Sequence, residues 1–173
     1  MNKLNNIKGV LFDKDGTLFD FNLSWSNWAI KIIGLLSKKY KVGQEKLADA
    51  ISFSLHKKCF YKDSGFIAGT LSETIHDISK VIPNADVSVL ETILVDQASN
   101  QIQTPIIGLI ETLKLLQESG LVLGVATNDA EISAIKHLQE AQIIEYFKFI
   151  AGYDSGYGSK PEPGQILSFC EKM

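Results

Sequence analysis

The sequence predicts an α/β fold, a parallel sheet flanked by helices and interrupted by an all-helical insert, and three observations carry the prediction. Short, mainly apolar runs at 7–12, 121–126 and 147–151 have the length and composition of strands, the first fitting a strand buried on both faces. A helical pattern separates the second run from the third, which is the alternation of a parallel sheet with crossover helices. Between the first and second runs, apolar residues recur only at three- and four-residue steps.

Taken in order, Ile7 to Phe12 is the first strand, ended by Asp13 and Gly16. From Leu23 to about Ile102 the spacing predicts four helices: Trp25, Trp28, Ile32 and Leu35; Leu47, Ile51 and Leu55; Leu71, Ile75 and Ile78; Leu90, Ile93 and Leu94. Pro83-Asn84-Ala85-Asp86 divides the last two, and Ser64-Gly65 with Gly69 breaks the middle. Thr104 reads as an N-cap with Pro105 at the first helical position, followed by a stripe of Ile107, Ile110, Leu113 and Leu116 that Gly120 ends. The run LVLGVATND is the second strand, Ala130 to Ala141 a helix, and FKFIAGY the third strand. The insert directly follows the first strand, so residues 1–20 and 104–173 form the sheet domain and 21–103 the helical one.

Composition narrows the partners. At 173 residues the chain suffices for one domain with a core plus an inserted module. A net charge of −3 supplies no positive field for nucleic acid or an anionic membrane, and no run approaches the ~20 apolar residues of a membrane span. All 17 basic residues are lysines, so an anion site must use point charges, hydroxyls and backbone N–H groups rather than the bidentate arginine fork. Cys59 and Cys170 fit no metal spacing or disulfide framework and are expected to be buried or half-buried free thiols. The first residues contain no signal-peptide segment, and a cytoplasmic location follows.

The chemistry concentrates at the strand ends. Asp13 closes the first strand, where ligands of open parallel sheets gather. A carboxylate there can attack an electrophilic phosphorus, and Asp15, two residues on, can protonate the leaving alkoxide and later deprotonate water. Their repulsion is relieved if one keeps a proton, or if Mg²⁺ sits between them and a phosphate dianion. Asp-Gly is also ordinary turn chemistry, with Asp13 a strand terminator. The second strand ends in Thr127-Asn128-Asp129 before a helix, where hydroxyl, amide and N-terminal N–H groups can meet an anion, or where Asn128 or Asp129 is simply a cap. Lys160 follows the third strand in a loop bounded by glycines and two prolines.

DKDGT at 13–17, ATN at 126–128 and SKPEP at 159–163, in that order, resemble the first three signatures of the haloacid dehalogenase superfamily. The helical insert after the first signature resembles the cap of its phosphoglycolate phosphatase-like and beta-phosphoglucomutase-like branch. The resemblance implies a Rossmann-like core with a helical cap and Mg²⁺ as cofactor. It implies Asp13 as nucleophile and metal ligand, and Asp15 as general acid/base and ligand through its backbone carbonyl. Asp15, Gly16, Thr127, Asn128 and Lys160 would form the phosphate-binding set, with Lys160 neutralising both the nucleophile and the transferring group. Asp20 matches a common family position at the cap entry, whereas Phe21 departs from it.

The family's fourth signature, an acidic pair beyond a further strand, is not found before Met173, and Asp154 is no replacement by position. The expectation is therefore a C-terminally shortened core whose first strand exposes an apolar edge. The implied activity is hydrolysis of a small phosphorylated metabolite, phosphoglycolate first among candidates. The alternatives are a sugar-phosphate mutase and a shortened form that binds a partner or forms a homodimer through the open edge. His56, His76 and His137 show no paired ligand spacing and read as solvated or core-edge residues. Trp25 and Trp28 read as core of the insert or as a pocket roof. The lysines at 38, 39, 41, 57 and 58 read as solvated helix ends.

Overall fold

The computed structural model describes residues 7–173; the reading of residues 1–6 as free of a leader lies outside them. In chain order, strand β1 (Gly9–Phe12) precedes helices α1 (Phe21–Tyr40) and α2 (Gln44–Ala50), strands β2 (Phe53–Ser54) and β3 (Cys59–Phe60), and helices α3 (Gly65–Ala68), α4 (Leu71–Val81) and α5 (Val87–Ser99). Helix α6 (Leu109–Glu118), strand β4 (Val122–Ala126), helix α7 (Glu131–Glu140), strand β5 (Phe147–Ala151) and helix α8 (Gly164–Glu171) follow. The chain forms two compact units: one contains the chain up to Asp20 and from Thr104 onward, the other is Phe21–Gln103. No helix among the described residues is long and apolar enough to cross a membrane.

The sheet unit is built on three parallel strands in the order β1-β4-β5. The ladder runs from Gly9 opposite Val122 to Phe12 opposite Val125, and onward to Ala126 opposite Ala151. All three carboxyl ends therefore lie side by side. A register shift between Leu123 and Gly124 sets Phe147 opposite Leu123 and Phe149 opposite Gly124. Phe147 thus joins Leu123, Val125, Leu113 and Leu138 on one face, while Phe149 packs with Phe169 of α8 on the other. Burial of side chains of this size stabilises by about 1.5–3 kcal/mol each.

Several expectations need correction. β1 is covered on both faces, Val10 and Phe12 packing on one core cluster and Leu11 on the other, but its residues are only half-buried, and among the described residues it has a strand neighbour, β4, on one side alone. Thr104-Pro105 does not open a helix. The Asp20 N–H donates to the Thr104 carbonyl at 2.8 Å and the Ile106 N–H to Leu18 at 3.1 Å, so this backbone is used in an antiparallel bridge with Phe19. Helix α6 starts only at Leu109, after Gly108 in the left-handed region at φ 79°. Its buried stripe is accordingly Leu109 and Leu113, with Leu116 packed alongside, while Ile107 and Ile110 are exposed. Finally, Cys170 is exposed.

The inserted unit is not wholly helical. Helix α2 stops at Ala50, Ser52 adopts a φ of 51°, and Phe53 and Phe60 pair across a two-stranded ribbon where the periodicity of Leu47, Ile51 and Leu55 predicts continuing helix. Both phenylalanines are buried, so tertiary packing overrides the local pattern. Trp25 and Trp28 pack this unit's own core: Trp28 stacks on Phe66 at 5.0 Å, and Phe66 on Phe60 at 4.5 Å. The Thr70–Glu73 capping box starts α4, and Asp86 accepts from the Ser88 and Val89 N–H groups to start α5.

Gly124 is fitted to this sheet by size. A Cβ there would lie 2.8 and 2.9 Å from Phe169 ring atoms and 3.0 Å from Leu11 Cδ1. Although alanine suits a strand better than glycine, Gly124→Ala should therefore cost about 1–3 kcal/mol through overpacking, read as a lower urea midpoint at unchanged slope.

Candidate active site

The loop after β1 is wound around one carbonyl. The Lys14 C=O accepts from Leu18 N–H at 2.9 Å and from Phe19 N–H at 3.2 Å, and Gly16 N–H donates to Phe19 at 2.8 Å. Gly16 has a φ of 84°, which glycine adopts without the steric cost a Cβ adds. Leu18 and Phe19 are buried in the core beneath. This anchorage leaves the Asp13 side chain 45% exposed, that of Asp15 16% and that of Lys14 fully buried. Two carboxylates thus rise toward solvent with the lysine between them directed inward.

The other two strand ends meet this loop. Thr127 N–H donates to the Ala151 carbonyl at 2.9 Å, and the Thr127 hydroxyl accepts from Asp129 N–H at 3.1 Å while lying 3.5 Å from Asp15 Oδ2. The Asn128 amide is clamped on a peptide: its Nδ2 donates to the Lys160 carbonyl at 3.0 Å and its Oδ1 accepts from Lys160 N–H at 2.8 Å. Lys160 is so aimed that its Nζ pairs with Asp13 Oδ1 and lies 3.2 Å from the Ala126 carbonyl. The structure therefore gathers Asp13, Asp15, Gly16, Thr127, Asn128 and Lys160 at one end of the sheet, with the Asn128 amide engaged in aiming Lys160. Asp154 accepts from Glu131 N–H at 2.8 Å, at the start of α7.

Sequence reasoning passed over several residues beneath this surface. Gln165 is fully buried, and its Nε2 lies 3.1 Å from the carbonyls of Thr127, Gly152 and Gly158. It holds the second and third loops together, and no local pattern announces it. Lys14 Nζ lies 2.8 Å from Asp15 Oδ1, 3.2 Å from Asp129 Oδ2 and 3.2 Å from His137 Nδ1. His137 is buried, not solvated or at the core edge. The signal available in the sequence was the charge pattern Asp-Lys-Asp, whose central cation can relieve the flanking repulsion.

Burial alone would lower the Lys14 ammonium, but the charges of Asp15 and Asp129 outweigh it and hold its pKa above the ordinary lysine value. Burial raises Asp129, Lys14 opposes, and Asp15 adds to the rise, so that its carboxyl is pushed up to about 6. Among the described residues no group of three or more His, Cys, Asp or Glu side chains could hold a metal ion. The oxygen donors of Asp13 and Asp15 nevertheless fit Mg²⁺, which typically takes one or two carboxylates, several waters and a substrate phosphate rather than a full protein cage.

The raised Asp129 has a consequence for stability. An ordinary aspartate titrates near 3.8, so between about pH 4 and 6 the native state retains a proton that the unfolded chain has released. Stability contributed by this group is present below that window and lost as pH rises through it, by on the order of 3 kcal/mol. Urea unfolding between pH 4 and 7 should show that Asp129→Asn flattens this slope; an unaltered slope would remove Asp129 as its source.

Comparison with known proteins agrees with this geometry. The family model for haloacid dehalogenase-like hydrolases matches residues 7–173. The phosphoglycolate phosphatase of Nitrosospira multiformis is 27% identical over 170 residues, spanning 96% of this chain and 70% of that protein. The phosphoglycolate phosphatase of Shigella dysenteriae is 27% identical over 184 residues, spanning 100% and 71%. Among solved structures, a predicted phosphoglycolate phosphatase from Haemophilus somnus superposes with a TM-score of 0.71 at 21% identity, covering 96% of this chain and 71% of that one, a likeness of fold. With a family match over every described residue and the three signatures assembled at one sheet end, the chain belongs to the haloacid dehalogenase-like hydrolases.

Proposed function

We propose that this chain is a Mg²⁺-dependent phosphomonoester hydrolase working through an aspartyl-phosphate on Asp13, with phosphoglycolate as its leading substrate. The observation that carries the reading is the Lys160–Asp13 contact beside Asp15 and Thr127 at the ends of three adjacent parallel strands. The substrate reading rests on the names of the relatives, phosphoglycolate phosphatases that align over most of this chain.

Asp13 is the exposed carboxylate and attacks phosphorus. Its oxygen forms the new P–O bond as the ester P–O bond breaks, and the departing alkoxide takes its proton from Asp15. Asp15 then removes a proton from the water that opens the acyl-phosphate, and Asp13 is regenerated as inorganic phosphate leaves. Lys160 neutralises the nucleophile before attack and the transferring group during it. The Thr127 hydroxyl supplies a donor beside Asp15. Donors of this kind, already in position, are typically worth about 3 kcal/mol each. Mg²⁺, when bound by Asp13 and Asp15, supplies charge neutralisation for the phosphate dianion.

Phosphate release from phosphoglycolate with Mg²⁺ tests the proposal. Asp13→Asn should reduce it by more than about 10³-fold, and Lys160→Met by about 10²-fold, one charge-stabilising donor being lost. Asp13→Asn that retains activity would overturn the nucleophile assignment. A hexose 1-phosphate arm that returns isomerised sugar, with no free phosphate, would replace hydrolysis by phosphoryl return to sugar.

A further inference from the structure

We propose that Lys14 is a positioning residue for Asp15: its buried ammonium, anchored on Asp129 and His137, holds the Asp15 carboxyl group in the orientation that proton transfer to the leaving group, and from water afterwards, requires. The inference rests on the reading of Asp15 as proton donor and acceptor.

The ammonium donates to Asp15 Oδ1 at 2.8 Å, lies 3.2 Å from His137 Nδ1 within hydrogen-bonding reach, and makes an ion-pair contact with Asp129 Oδ2 at 3.2 Å. Acceptance at Nδ1 assigns the His137 proton to Nε2. The three partners come from separate places in the chain: Asp15 from the first loop, Asp129 from the turn after β4, and His137 from the buried side of α7. Lys14 therefore ties the first loop to the turn after β4 and to α7. The Phe19 ring, 6.0 Å from Nζ, closes the remaining side. The Asp15 carboxyl group is held at Oδ1 by Lys14 at 2.8 Å, with the Thr127 hydroxyl 3.5 Å from its other oxygen.

Stability is a poor reason to bury this lysine. A buried ion pair is commonly matched or exceeded by apolar residues of the same volume, because desolvation offsets the Coulomb attraction. What an apolar side chain cannot do is fix the rotation of a neighbouring carboxylate. Among the residues touching Lys14, Asp15 is the one that reaches the surface beside Asp13; Asp129 and His137 are buried, and they anchor it.

A leaving-group comparison separates orientation from general damage. Cleavage of an alkyl phosphate such as phosphoglycolate leaves an alkoxide that must take a proton from Asp15. Cleavage of p-nitrophenyl phosphate leaves a phenolate stable without one. Lys14→Met, and Lys14→Met/Asp129→Asn, which avoids an unpaired buried carboxylate, should lower kcat on phosphoglycolate about 10- to 100-fold, part of the full effect of general acid catalysis. On p-nitrophenyl phosphate the loss should stay under about 3-fold, and KM for both esters should stay within about 2-fold. Asp15→Asn is the reference. If it is selective for the alkyl ester while both Lys14 variants are unselective or unimpaired, the positioning role is overturned and the hydrolase reading stands. If Asp15→Asn is itself unselective, the role of Asp15 fails and this inference with it. A thermal-unfolding cycle of Lys14→Met, Asp15→Asn and their combination needs no turnover: non-additive midpoint shifts support the contact, and strict additivity overturns it.

Discussion

The site is organised by a charge constraint: two carboxylates, two residues apart, stand at the end of an apolar strand, and each must have its own counter-charge. Lys14 meets Asp15 from below and Lys160 meets Asp13 from the side. At an effective dielectric of about 20, a close unit-charge contact is worth about 4 kcal/mol of gross Coulomb energy, the same order as the repulsion between neighbouring carboxylates. The two lysines are not equivalent. Lys14 is fully buried and faces the buried Asp129 and His137, whereas Lys160 and Asp13 are partly exposed, so a phosphate or a cation can compete for that pair. The same two-charge problem is thus solved rigidly on one side and exchangeably on the other.

Rigidity of the surroundings follows from the loop cross-links. Three separate segments must hold their relative positions for Lys160 to reach Asp13, and loops rarely do so unaided. Asn128 clamps the Lys160 peptide in both directions, and Gln165 gathers three carbonyls from the second and third loops. Gly152 permits this closeness, since a Cβ there would collide with the backbone of Asp129, Ala130 and Glu131. Bidentate and gathered contacts of this type position donors before substrate arrives, which is where electrostatic catalysis draws its advantage.

Strands and site loops were legible because each rests on a short local signal: an apolar run stopped by Asp, Thr or Gly. The three parallel strands and their order of use follow from those runs, as does the convergence of Asp13, Thr127 and Lys160. What escaped depends on contacts distant in sequence. Nothing local distinguishes Thr104-Pro105 as a bridge partner of Phe19 from Thr104-Pro105 as a helix start; the hydrogen bonds to Leu18 and Asp20 decide it. The Phe53–Phe60 ribbon was hidden because Leu47, Ile51 and Leu55 continue a helical rhythm, and only burial of both rings breaks it. Lys14 was visible as a charge but not as a buried one, since its partners Asp129 and His137 lie more than a hundred residues on.

The absence of arginine gives this arrangement its chemical character. A guanidinium would offer a planar fork suited to a carboxylate or phosphate edge, but its size and fixed geometry do not suit a point surrounded by Asp15, Asp129 and His137 in three directions. A compact ammonium with three donors does. At Lys160 the same choice leaves a single partly exposed point charge beside Asp13 rather than a fork committed to one edge. Lysine at both positions therefore answers two different demands, a compact cation among Asp15, Asp129 and His137 in the interior and an exposed point charge against Asp13 at the surface, with a single kind of side chain.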